Sequence, residues 1–430
     1  MPNKDDQEYP ESIYFNGSDY FQILLDRHIK KNKAQGNFGC LIFEIEKSGP
    51  DLHEFLLERI ASPFIKWLSS IYLKNNSLFK PPVWKSNTDN PSDVFTYTKK
   101  EHPLHNYDEI IFPNFNPENG GLIKIEQLES TSTNQIIFYW HHALFDARGA
   151  EYVVRYLIGD VEEIDMENYV PVFENRPIKE LLDDAKNVKS FLMKNRGVEV
   201  STCDPLDKDE TSKISYKVIA FSEEETLQIK KKAQNFTRLA ISPFYLGATS
   251  FVFQEIIKRK NQKVVSFQLP VPQDKRKRGV FRPGIGNQVS YLFFRLYPKH
   301  FGTFKDTIDE INSQLKEQIK ERIPQKYEGL MSLFLKLPMR VYEFIVQGPT
   351  KGKLASFYFS DTGQSLQLSG CSPFKVLDAT HLPPANKLPG FTIVFMEFEG
   401  KLKVILAHAY NRMNSEDVLY FEKEFRHLLL

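Results

Sequence analysis

Two adjacent histidines and, after three intervening residues, an aspartate carry the sharpest chemical signal of the chain: His141-His142-Ala143-Leu144-Phe145-Asp146. A neutral imidazole takes up a proton readily near pH 7, and a carboxylate on the same tight turn can hold ring geometry or tautomer. The residues alone leave three readings open. His142 is a general base, the pair is a locally satisfied strand end, or the histidines begin a metal site. The last lacks a third ligand close in sequence, because His102 and His105 (His102-Pro103-Leu104-His105) fall in a stretch that reads as surface loop, so no metal is expected.

The flanking elements must position this turn. Residues 122–128 and 135–140 are rich in strong β-formers and predict two strands, and 150–158 resumes helical spacing. The interval 141–149 is then a strand-to-helix turn, where functional residues concentrate. Upstream, the pattern predicts a helix opening at Ser18 as cap and running to Ile29, a strand over 38–44, and a helix over 52–72. Residues 75–113, rich in Pro, Asn and Asp, read as loops joined by short strands.

The polar stretch 197–213 divides the chain nearly in half and reads as a crossover linker between lobes 1–196 and 214–430. Beyond it the expected order is a strand over 214–221, a helix started by a Ser222/Glu225 capping box, a helix over 242–258, and a strand over 264–269. A basic turn then leads to Gly286-Asn287 and a strand over 291–296. A helix over 304–322, strands at 355–359, 391–397 and 402–409, and a helix capped by Ser415 close the chain. At 430 residues two domains are the natural expectation, and strands mixed with helices make both α/β.

Bulk properties exclude several classes of function. Lys plus Arg (56) balances Asp plus Glu (55), so no net field draws the protein to nucleic acid or to an anionic membrane. Three widely spaced cysteines, Cys40, Cys203 and Cys371, form no metal pattern and fit a reducing cytoplasm. The polar opening Met1-Pro2-Asn3-Lys4-Asp5-Asp6-Gln7 has no apolar stretch of the kind export needs. The most apolar run, 330–346, contains Lys336, Pro338 and Arg340 and reads as a buried or interfacial helix kinked near Pro338, which leaves peripheral membrane contact open. Thirty-five Phe residues point to an aromatic core.

The string Trp140-His141-His142-Ala143-Leu144-Phe145-Asp146-Ala147-Arg148-Gly149 resembles the HHxxxDG signature of the chloramphenicol-acetyltransferase-like superfamily. That superfamily includes condensation domains, wax ester synthase/diacylglycerol acyltransferases and polyketide-associated acyltransferases. Gly286-Asn287-Gln288-Val289-Ser290 after a basic turn, and Phe357-Tyr358-Phe359-Ser360-Asp361-Thr362-Gly363, are similar to its second-lobe elements, so the resemblance covers most of the chain. It implies two lobes, each a mixed β-sheet with flanking helices, forming a V around a central tunnel.

The resemblance also implies acyl transfer from an acyl-CoA or acyl-carrier-protein thioester to a hydroxyl or amine acceptor. His142 would be the base, no acyl-enzyme would form and no cofactor would be bound; coenzyme A or phosphopantetheine enters as part of the substrate. By the same resemblance His141 supports the turn, Asp146 is structural and pairs with Arg276 or Arg278, and Asn287 and Ser360 supply hydrogen bonds near the tunnel. Arg276 and Arg278 could alternatively meet donor phosphates. Ala147 stands where the family usually has glycine, which motivates a second reading: a catalytically idle relative that binds a carrier protein or an acyl ligand. A monomer is expected.

Overall fold

The computed structural model describes residues 9–32, 34–75, 81–89, 91–170, 176–194, 198–205, 213–238, 240–276, 284–348, 352–384 and 386–430. The first lobe is built on a five-stranded mixed sheet in the order Val376–Leu382, Phe38–Glu46, Thr133–His141, Ile123–Glu129 and Phe95–Lys99. Phe38–Glu46 and Thr133–His141 are buried almost throughout, as central strands covered on both faces must be. The helix Ala147–Leu157 packs against both of them.

The first helix, Gly17–Lys31, begins at Asn16 rather than Ser18. Asn16 Oδ1 accepts from Asp19 N while the Asp19 carboxylate accepts from Asn16 N, a reciprocal capping box that leaves Ser18 buried inside the first turn. The expected helix over 52–72 is broken into Leu52–Ile60, Pro63–Ser69 and the strand Ile71–Lys74. Proline can open a helix but not continue one, and with Ser62 as cap Pro63 starts a new element. Pro338 acts likewise. Instead of a kinked helix over 330–346 the chain forms Ile323–Phe334 and Met339–Gln347, with Pro338 extended between them.

The second lobe holds a four-stranded sheet in the order Tyr358–Gln364, Phe391–Phe398, Lys401–Ala409 and Ile214–Ala220. Helices Ser242–Arg259, Phe304–Lys320 and Ser415–Leu429 pack beside it over a core dense in phenylalanine, in which Phe253 stacks on Phe391 with ring centres 5.2 Å apart. Ser222 and Glu225 form the expected capping box, whereas the closing helix is capped by Asn414 instead of Ser415. The hairpin Phe267–Asp274 with Val289–Leu296 faces the first lobe.

Of the stretch read as a linker, 198–205 is described and lies on the second lobe: Cys203 is part of its core, and Ser201 N donates to Ser266 O at 2.9 Å. The two lobes are not simple halves. Val376–Leu382, from the second half, forms the edge of the first sheet, pairing antiparallel with Phe38–Glu46. Between the lobes lies a cavity of about 1640 Å³ with walls from both. No helix among the described residues is long and apolar enough to cross a membrane.

Candidate active site

The strand Thr133–His141 delivers the histidine turn to this cavity. Trp140 Nε1 donates to Phe145 O at 3.1 Å and Leu144 N to His141 O at 2.9 Å, so the turn is folded back onto the strand that launches it. Gly39 on the neighbouring strand makes the arrangement possible. A Cβ there would sit 2.1 Å from Trp140 Cζ2, so only glycine leaves space for the indole.

His141 turns inward and is buried. Its Nδ1 accepts from Ala143 N at 3.1 Å and its Nε2 lies 3.4 Å from Asp26 Oδ1. Burial alone would raise the Asp26 carboxyl, but His141, Asn37 N and Lys30 together hold it below its ordinary value. His141 is thus a brace for the turn.

His142 faces the cavity, with its backbone N donating to Asn37 O at 2.9 Å. Its Nδ1 is 3.2 Å from Asn287 Oδ1. The Asn287 amide nitrogen donates to Asp19 Oδ1 at 3.0 Å and to His142 O at 2.8 Å, and these two acceptors fix the orientation of the amide. Asn287 Oδ1 therefore meets the ring, His142 Nδ1 carries the proton, and Nε2 keeps a free lone pair. Among the described residues Nε2 has no hydrogen-bond partner. Burial pushes the imidazole below its ordinary pKa, against the opposing pull of its own carbonyl, Asp146 and Asn287, so the ring is neutral at pH 7.

Asp19, behind Asn287, is fully buried, and burial pushes its carboxyl up to about 7 although N–H groups of Asn16 and Asn287 pull the other way. Gly286, with φ +87°, lets the chain present Asn287 at this point, and its N donates to Leu144 O at 2.6 Å.

Asp146 makes no hydrogen bond to the imidazole. Its Oδ1 caps the helix Ala147–Leu157 through Gly149 N at 3.1 Å, and its Oδ2 accepts from Gln288 N at 2.9 Å. Arg276 closes on both oxygens at 3.0 Å, a bidentate pair joining the lobes. Arg276 also meets Asp274 at 3.2 Å and is itself buried, so its guanidinium is engaged by carboxylates rather than presented to a donor phosphate. Arg278 lies outside the described residues. Ser360, on Tyr358–Gln364, lines the cavity. Ala147 is the first residue of its helix and is absent from the positive-φ residues, so its methyl strains nothing. The glycine requirement falls at Gly149, where a Cβ would meet Phe145 Cβ at 2.7 Å.

The sequence reading did not anticipate Asp19, Asn37, the Gly39–Trp140 pair, or a second imidazole on the cavity wall, His381. Of these only Asp19 carries a local signal, the Asn16-x-x-Asp19 capping pattern. Among the described residues no group of three or more His, Cys, Asp or Glu is arranged to hold a metal ion.

No protein-family model matches this chain, and no curated protein matches it in sequence. Solved structures do. TRI3 trichothecene 15-O-acetyltransferase from Fusarium sporotrichioides aligns over 97% of this chain and 95% of its own, with TM-score 0.67 and 11% identity. The first condensation domain of the calcium-dependent antibiotic synthetase aligns over 97% and 95%, with TM-score 0.66 and 10% identity. Polyketide synthase associated protein 5 from Mycobacterium tuberculosis aligns over 94% and 97%, with TM-score 0.60 and 10% identity. The chain has the two-lobed chloramphenicol-acetyltransferase-like fold of these condensation and acetyltransferase structures. At such identities the likeness is one of architecture, and the chemistry has to be argued from the site.

Proposed function

We propose that this protein transfers an acyl group from a thioester donor to a hydroxyl or amine acceptor, with His142 as general base. The observation that carries the reading is the neutral imidazole on the wall between the lobes, its Nδ1 proton held by Asn287 and its Nε2 free. Nε2 removes the proton of the acceptor as the nucleophile attacks the thioester carbonyl. The tetrahedral oxyanion collapses, the C–S bond breaks, and the imidazolium returns the proton to the departing thiolate. No acyl-enzyme is involved and no cofactor is consumed; the donor thiol belongs to coenzyme A or to the phosphopantetheine of a carrier protein. The acetyltransferase and condensation domains among the structural neighbours support this class of reaction. Three unpaired cysteines support a reducing, cytoplasmic setting.

An idle relative that only binds a carrier protein or acyl ligand was motivated by Ala147, and the unstrained helical position of that residue removes the motive. The test is thiol release from acyl-CoA in the presence of a panel of alcohols and amines. His142→Ala is expected to lower the rate about 100- to 10,000-fold, the usual range for a positioned base. Equal release by the wild type and this variant would sink the assignment.

A further inference from the structure

His381 sits on the borrowed edge strand Val376–Leu382 and lines the same cavity as His142. In register it lies opposite Leu41, and Leu41 in turn opposite Phe138, so His381, Gly39 and Trp140 share one face of the sheet. Because Gly39 has no side chain, the Trp140 indole reaches across the intervening strand. Its ring centre is 6.3 Å from that of His381, edge-on, and 6.4 Å from that of His142. Two imidazoles thus flank one indole on the cavity wall.

His381 has its own carboxylate. Its Nε2 is 3.0 Å from Glu151 Oε1, and Glu151, with none of its surface exposed, is also held at 2.8 Å by Arg148. Arg148 donates in turn to the carbonyls of Thr362 and Gln364 in the second lobe. Burial pushes the Glu151 carboxyl up, but Arg148 and His381 outweigh it and leave the group below its ordinary value, hence ionised. An ionised Glu151 can only accept, so Nε2 of His381 is the protonated nitrogen. With a single ring proton placed on Nε2, Nδ1 is the acceptor the ring can offer a ligand. It has no partner among the described residues and is not among the sealed, unpartnered polar atoms, which leaves the cavity as the place it opens to.

We propose that His381, oriented by Glu151, is a second ligand-binding station in the cavity, whose Nδ1 accepts a hydrogen bond from a hydroxyl or N–H group of a ligand that reacts at His142. The ligand is therefore bifunctional: one end at the base, and a hydrogen-bond donor further along, past Trp140. That donor group belongs either to the acceptor, as the second hydroxyl of a diol, or to the pantetheine arm of the thioester. The proposal rests on the acyl-transfer reading only for the identity of the ligand.

The test exploits the two nitrogens of the ring. His381→Gln keeps a donor near the Nε2 position for Glu151 but loses the cavity-facing acceptor; His381→Asn keeps an oxygen near the Nδ1 position and loses Glu151. For the acceptor arm, kcat/KM is compared for matched primary alcohols and diols with one acyl-CoA. For the donor arm, pantetheine thioesters are compared with simple alkyl thioesters. Wild type is expected to prefer the bifunctional ligand about tenfold in one arm, the size of one hydrogen bond. His381→Gln should bring that ratio to about one, and His381→Asn should keep most of it.

The inference is overturned by the absence of any preference in both arms, by a ratio that survives His381→Gln, or by a ratio lost in both variants, which would make the dyad a purely structural unit. Calorimetric binding of the same ligands in a His142→Ala background decides the question independently of turnover. If the wild type proves to have no transferase activity, the functional reading falls, while the ligand ratio in that background still supports or overturns the role of His381.

Discussion

Replacing Asp146 with asparagine should cost the fold far more than the near-isosteric change suggests. The asparagine oxygen can still cap the following helix through Gly149 N, but the new amide would face two donors, Gln288 N and Arg276 Nη1, where Oδ2 now accepts both. Arg276, with a side chain 6% exposed, would lose both oxygens of its buried partner, while its contact with Asp274, itself 47% exposed, remains. Breaking a buried pair by removing one partner costs about 3–5 kcal/mol, and the residual Asp274 contact argues for the lower end, about 3 kcal/mol. Arg276→Met in the same chain removes the cation that faces Asp146. A double-mutant cycle by urea unfolding, followed by tryptophan fluorescence, should therefore show a coupling of about 2 kcal/mol, with the double variant more stable than the two single losses summed. A cost below about 1 kcal/mol for Asp146→Asn, or strict additivity, would refute the view that this pair clamps the lobes.

Three further outcomes are expected. Gly39→Ala forces a methyl onto the Trp140 indole, so stability in denaturant should fall by about 1–3 kcal/mol, with a matching change in near-ultraviolet circular dichroism. The acid limb of kcat/KM should lie below the ordinary imidazole value of 6.5, because burial lowers His142; activity rises with pH as the base deprotonates, and a limb above 7 would contradict this. Asp19 is raised from 3.8 to about 7, so the folded state keeps a proton that the unfolded chain has released. Its stabilising contribution is complete below about 4 and is lost as pH climbs through about 7. Wild type should therefore lose stability relative to Asp19→Asn between about pH 4 and 7, and parallel pH profiles would argue against it.

The lobed α/β fold was legible because its strands are locally emphatic: Phe38–Glu46 and Thr133–His141 declare themselves by composition. What escaped was set by distant partners. Val376–Leu382 is short and mixed in polarity, and becomes a strand by pairing with residues near the other end of the chain. Helix caps were missed by one or two residues, because Ser18 and Ser415 are plausible caps until the reciprocal bonds of Asn16 with Asp19 and Asn414 with Asp417 are seen. The site divided in the same way. His141, His142 and Asp146 are adjacent in sequence, but the ring is oriented by Asn287 and, behind it, Asp19, a link across 268 positions that no spacing rule encodes. Between two arginines in a basic turn, only the fold could select Arg276.

The edge strand taken from the second half has a consequence for biosynthesis. Phe38–Glu46 leaves the ribosome long before Val376–Leu382, and at about 5–20 residues per second the delay is on the order of tens of seconds. Through that interval an apolar strand presents unpaired backbone to every other nascent chain nearby, the situation that invites edge-to-edge association. Completion of the first lobe therefore waits on synthesis of much of the second, and fragments ending before residue 376 should need a holding chaperone to stay dispersed.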